Sequence, residues 1–172
     1  MMKKSLTNLL RPALFVIAAT LALPAFAADS AATTKADNSA TSTMEILRQK
    51  VSADKKLVIA NNMNLTDAEA KGFWPVYDAY QNDLYQINQR LAKVINDYAL
   101  AYNKGAVLDD TAKSLLNESI AIEQAEVNLK QSYVPKLIKV IPAAKAARYI
   151  QLENKIRAII RYQLADAIPL VK

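Results

Sequence analysis

The residues of this chain whose types and spacing could do chemistry are its cations and carboxylates. The 172 residues include neither cysteine nor histidine, so a thiol nucleophile, a Ser-His-Asp triad, a haem attachment motif and an ordinary zinc site all lack the side chains they require. No calcium-loop pattern of carboxylates appears either, and neither a metal nor a cofactor is expected. The remaining candidates cluster near the C-terminus. Lys145, Arg148 and Lys155, three and seven residues apart, fall on one helix face, and Arg157 and Arg161 form an i, i+4 pair of like charge. Such a pair costs an isolated helix about 0.2–0.5 kcal/mol. An anion would relieve that cost: Glu153, four residues before Arg157, the acidic half of this chain or of a second copy, or an external ligand.

The charge distribution sharpens this picture. The formal net charge is +6, and nine basic residues against two acidic ones lie between Lys130 and Lys172, whereas Asp29 to Leu129 has ten basic and fourteen acidic. A cationic C-terminal third can steer acidic partners towards it, whether unfolded acidic chains, anionic lipid or another copy's acidic half. Arg148, Gln151 and Lys155, with Arg48 and Lys50, are also residue types that could hold a dicarboxylate, as an exported all-helical chorismate mutase does. That family's spacing is absent from the first helix, and no enzymatic activity is expected. Nucleic acid is not an expected partner, because no Arg-rich reading helix or known module is present.

Targeting comes before folding. Lys3, Lys4 and Arg11 form a basic n-region, Leu14 to Leu23 is apolar, and Ala25-Phe26-Ala27 fits a small-x-small cleavage pattern, so residues 1–27 read as a signal peptide. The apolar run falls short of the roughly 20 residues of a membrane span. Removing the segment leaves a formal +3, since its three charges are all basic. Residues 28–43, rich in Ala, Thr, Ser and Asp, read as a disordered leader. Residues 44–172 are expected to form a single all-helical domain. The mature product is expected to be periplasmic and soluble, without an integral membrane segment.

The elements that must position the basic residues are all helical. Ile46, Leu47, Val51, Leu57, Val58 and Ile59 predict a first helix to about Asn61. Leu65-Thr66-Asp67-Ala68-Glu69 is a capping-box start, with Thr66 and Glu69 exchanging hydrogen bonds. From there Phe73, Tyr77, Tyr80, Leu84, Ile87, Leu91, Val94 and Tyr98 alternate at four and three, a coiled-coil seam, and Gly105 supplies a left-handed C-cap. Gly72 and Pro75 predict a kink or a short separate first turn. Asp109-Asp110-Thr111 reads as the next cap, opening a helix to roughly Val140. Its face is set by Leu115, Ile122, Leu129, Tyr133, Leu137 and Ile141 and widened by Leu116, Ile120 and Val127. The short connection folds the two rods into an antiparallel hairpin. Ile141-Pro142 opens a last helix that Pro169 ends. The expected fold is all-α: an elongated antiparallel helical hairpin with additional N- and C-terminal helices, about four in all. Trp74, beside the seam and not on it, is the aromatic residue best placed for an exposed contact.

This layout resembles the CpxP/Spy group of periplasmic helical proteins. Leu65, Thr66 and Glu69 fit that group's Leu-Thr-x-x-Gln motif with Glu in place of Gln, and Ile141-Pro142 stands where its second motif opens. The resemblance implies a dimeric, cradle-shaped hairpin and an ATP-independent chaperone or envelope-stress binding role; an adaptor that docks one specific periplasmic domain is the alternative. Metal sensing by histidines does not carry over to a chain without them. The expected partners are unfolded or stressed envelope proteins, or that one domain, and a homodimer is compatible with either. The expected contact residues are Trp74, Lys145, Arg148, Lys155, Arg157 and Arg161.

Overall fold

A computed structural model describes residue 50 and residues 52–171. The expected signal peptide, the leader and residues 44–49 lie outside the described residues. The chain divides into two compact units, Met1–Leu57 and Val58–Lys172. Of the first, the described residues 50 and 52–57 are helical. Among the described residues the fold is all-α, with four helices and no strand: α1 (52–63), α2 (Asp67–Asn103), α3 (Asp109–Ile138) and α4 (Ala143–Ala167).

α1 continues past the expected break through Asn62 and Met63, because Ile59 and Met63, four residues apart, both bury their side chains. Asn64, at φ +47°, then stops it. Asparagine tolerates this left-handed conformation better than most residues do.

The start of α2 is a complete capping box. The Glu69 N–H donates to Thr66 Oγ1 at 3.3 Å, and the Thr66 N–H donates to Glu69 Oε2 at 2.8 Å. Over 37 residues the helix extends about 55 Å. It is unbroken through Pro75, so the separate first turn does not form. Gly72 serves packing: a Cβ there would stand 3.0 Å from Val140 Cβ, so its absence lets the α3–α4 connection approach α2. At the far end Gly105, at φ +105°, donates its N–H to Tyr102 O at 3.1 Å.

α3 begins one residue earlier than a side-chain cap would place it. Leu108 is the N-cap and offers no side-chain bond, while Asp109 and Asp110 occupy the first turn. Their charges interact favourably with the positive end of the helix dipole. The rod runs antiparallel to α2: Arg90 pairs with Glu118 at 2.8 Å, and Tyr133 Oη donates to Asp83 at 2.6 Å. α4 then returns parallel to α2, with Lys145 at Glu69, Glu153 at Gln81 and Pro169 at Tyr98. The three rods thus pack up, down and up.

The seam is real at its N-terminal end, where Phe73, Tyr77, Tyr80 and Ile87 are buried, but α3 is not its only mate. Tyr149 of α4, fully buried, meets Phe73, Tyr77 and Tyr80 edge-on at ring-centroid distances of 5.2, 6.0 and 5.8 Å, and Tyr80 meets Tyr133 at 5.3 Å. Edge-to-face pairs add about 0.5–1.5 kcal/mol each beyond area burial, so this cluster ties all three rods together. On α3, Ile122, Tyr133 and Leu137 are buried, as the sequence predicts, and Ile141 just after it is too. Leu116, Ile120 and Val127 do not widen the face: they are 60%, 57% and 44% exposed. The two neighbours of α3 approach from one side and leave these residues uncovered.

Candidate functional site

Four of the six expected contact residues take part in holding the bundle. Lys145, in the first turn of α4, lies 2.5 Å from Glu69 Oε2 and donates to the Asn64 carbonyl at 2.8 Å. Its hydrogen bond holds the Glu69 carboxyl below the usual carboxylate range, with the Thr66 N–H adding to the effect. Arg148 Nε donates to the Asn62 carbonyl at 2.5 Å. Both cations therefore sit against carbonyls where α1 ends, the pole of a helix that favours positive charge. The motif residues Thr66 and Glu69 thus cap α2 and, through Glu69, anchor α4; Leu65 is half-buried against the core.

Arg157 and Arg161 converge on one carboxylate. Glu126 of α3, buried, receives Arg157 Nη2 on one oxygen and Arg161 Nη2 on the other at 3.1 Å; Glu123 stands 3.8 Å from Arg161. The anion that relieves the like-charge pair therefore comes from the acidic half of this chain. Glu153 is directed elsewhere, accepting from Gln81 Nε2 at 2.9 Å and hydrogen-bonding to the Tyr149 hydroxyl. An open groove of about 270 Å³ runs beside the cluster, with Lys130 and Asn154 on its walls 3.2 Å apart. Its cations are already paired or hydrogen-bonded within the protein.

Trp74 is half-buried, its ring edge-on to Phe73 and Tyr77 at 5.0 and 5.4 Å. It closes the aromatic cluster and is not an isolated exposed ring. Lys155 is exposed. It lies on the outer face of α4 with Arg148, Ile159 and Tyr162, and at 3.6 residues per turn these four fall within an arc of about 60°. Ile159 is 62% exposed and Tyr162 76%. Neither Ile159 nor Tyr162 is among the contact residues expected from the sequence. Their spacing from Lys155, four and seven residues, was the available signal.

Among the described residues no group of three or more carboxylates could hold a metal ion, and no helix is long and apolar enough to cross a membrane. No protein-family model, curated protein or solved structure matches the chain.

Proposed function

We infer that the chain is an exported periplasmic protein that binds unfolded or stressed envelope proteins without ATP. The observation that carries this reading is the outer face of α4, where the exposed Lys155 is followed four and seven residues on by the exposed Ile159 and Tyr162. Cations attract an acidic, unfolded chain at a range of about 8–10 Å in physiological salt. Large side chains then hold it by apolar burial, with no single geometry required. The signal-like N-terminus and the resemblance to the CpxP/Spy group support the compartment and the role. Lys145, Arg157 and Arg161 contribute by shaping and fixing this helix, and their ion pairs leave Lys155 as the principal open charge of the set.

The test is light scattering from a chemically denatured acidic client diluted into buffer with a several-fold excess of the protein. Suppression of aggregation is expected, weakened by 0.5 M salt and by the double substitution Ile159→Ser with Tyr162→Ser. Undiminished aggregation at low salt overturns the reading. Stoichiometric binding to one folded domain, abolished by Lys155→Glu alone, would identify an adaptor instead.

A further inference from the structure

We propose that the groove between α3 and α4 binds a small monocarboxylate, its anion held by Lys130, Asn154 and Arg157 and its apolar body lying over Val127 and Ala158. The groove has a volume of about 270 Å³. Pockets for drug-sized ligands run from about 300 Å³ upwards, so this space suits a smaller molecule. Lys130 is paired with no carboxylate among the described residues: half-buried, it donates its one hydrogen bond to a neutral group, the Asn154 side-chain oxygen, at 3.2 Å. An ammonium removed from water keeps its charge at least cost when an anion stands against it. Asn154 accepts that bond through its oxygen, so its amide nitrogen keeps two N–H donors for a ligand. Arg157, three residues further along the same face of α4, gives Glu126 only Nη2. Its Nε and Nη1 carry three more donors. Ammonium, amide and guanidinium thus bring spare donors to one end of the groove.

The balance of charge decides the kind of anion. Lys130, Arg157 and Arg161 line the groove against Glu123 and Glu126, three positive charges to two negative, which leaves +1. Glu153 is buried and directed to Gln81 and Tyr149, off these walls. A single carboxylate therefore brings the groove to neutrality. A phosphate dianion overshoots it, and the Glu126 carboxylate beside Arg157 repels the second charge. Carboxylate also matches the flat fork of an arginine, which can hold both of its oxygens. Beyond the anion, Val127 and Ala158 supply apolar surface. The half-exposed Arg161 guanidinium adds a flat cation of the kind that attracts an aromatic ring. The client-binding face proposed above lies about a third of a turn away around α4, so neither reading depends on the other.

Calorimetric titration of the purified chain with benzoate in a chloride-poor buffer is expected to show one site with a Kd of about 1 mM or tighter. Benzamide, its uncharged analogue, and inorganic phosphate are each expected to bind at least about tenfold more weakly. Lys130→Met removes the charge and breaks no ion pair, so it is expected to weaken benzoate by about tenfold or more while the unfolding transition stays in place. Ala158→Leu, at an exposed position, fills the groove without altering charge and is expected to abolish binding. Glu123→Gln makes the groove more positive and is expected to tighten benzoate by about two- to threefold. Because the ligand joins α3 to α4, benzoate at about ten times its Kd is expected to raise Tm by about 3–5 °C in the parent chain and not in Ala158→Leu. No saturable binding of benzoate up to about 20 mM, benzamide or phosphate binding as tightly as benzoate, or undiminished affinity in either Lys130→Met or Ala158→Leu would each overturn the proposal.

Discussion

Glu126 is the residue on which the α3–α4 contact turns. It is buried, and two arginines from one helix share its oxygens. Removing one partner of a buried pair leaves an uncompensated charge, at a cost of about 3–5 kcal/mol, whereas replacing both with apolar residues of similar volume is often neutral. Glu126→Ala is therefore expected to lower the unfolding free energy by about 3 kcal/mol in urea titration, and Glu126→Leu with Arg157→Met to recover most of it. Equal losses in the single and double variants would show that the pair is incidental. The sequence made half of this legible. Arg157 and Arg161 at i, i+4 demand an anion, but local spacing offers Glu153, and the residue that answers lies 31 and 35 positions away. Lys145 and Arg148 follow the same pattern: their charges are visible in the sequence, while their carbonyl partners at Asn64 and Asn62 are set by how α4 docks.

Helix boundaries were legible where their determinants are local. Thr66 and Glu69 are three residues apart and form the capping box that their types predict, and Thr66→Ala is expected to cost about 1 kcal/mol by thermal or urea unfolding. At α3 the same reasoning failed, because Asp109 and Asp110 lie inside the helix and Leu108 caps it without a side-chain bond. Gly72 shows the same limit. In sequence it reads as a helix breaker beside Pro75; in the fold it is the place where Val140 comes within van der Waals contact of α2. Gly72→Val is expected to destabilise by about 1–3 kcal/mol through overpacking, despite the gain in helix propensity. A stabilised Gly72→Val variant would show that the approach of Val140 is not tight. The stripe on α3 was misjudged for a related reason: periodicity reveals which residues share a face, and the number of neighbouring rods decides how wide a face is covered.

At the scale of the whole bundle, the tyrosines make stability depend on alkaline pH. Burial raises the Tyr77, Tyr80 and Tyr149 hydroxyls well above their ordinary value, with the buried Glu153 carboxylate next in importance at each. Burial, then the hydrogen bond to Asp83, pushes Tyr133 up to about 12. These groups hold their protons more tightly in the folded chain than in the unfolded one. Their contribution is fully present below pH 10, and it is lost as pH rises above that value, because the unfolded tyrosines ionise first. Each tyrosine that stays neutral while its unfolded counterpart is charged lowers the unfolding free energy by about 1.4 kcal/mol per pH unit. Four such residues on three helices meet or adjoin in one cluster, so the loss should come as a single cooperative transition. Titrating the protein upward from pH 9 while recording tyrosinate absorbance and helicity together is expected to show the helical signal collapsing in step with a late group of tyrosines, at a pH well above 10. Tyr149→Phe removes the hydroxyl that binds Gln81 and Glu153 and also removes one ionisation, so its transition is expected to start from a lower stability at neutral pH yet fall less steeply above pH 10. If all eight tyrosines of the chain ionise together near pH 10 with helicity intact, the aromatic cluster does not exclude water and cannot be what joins the three rods.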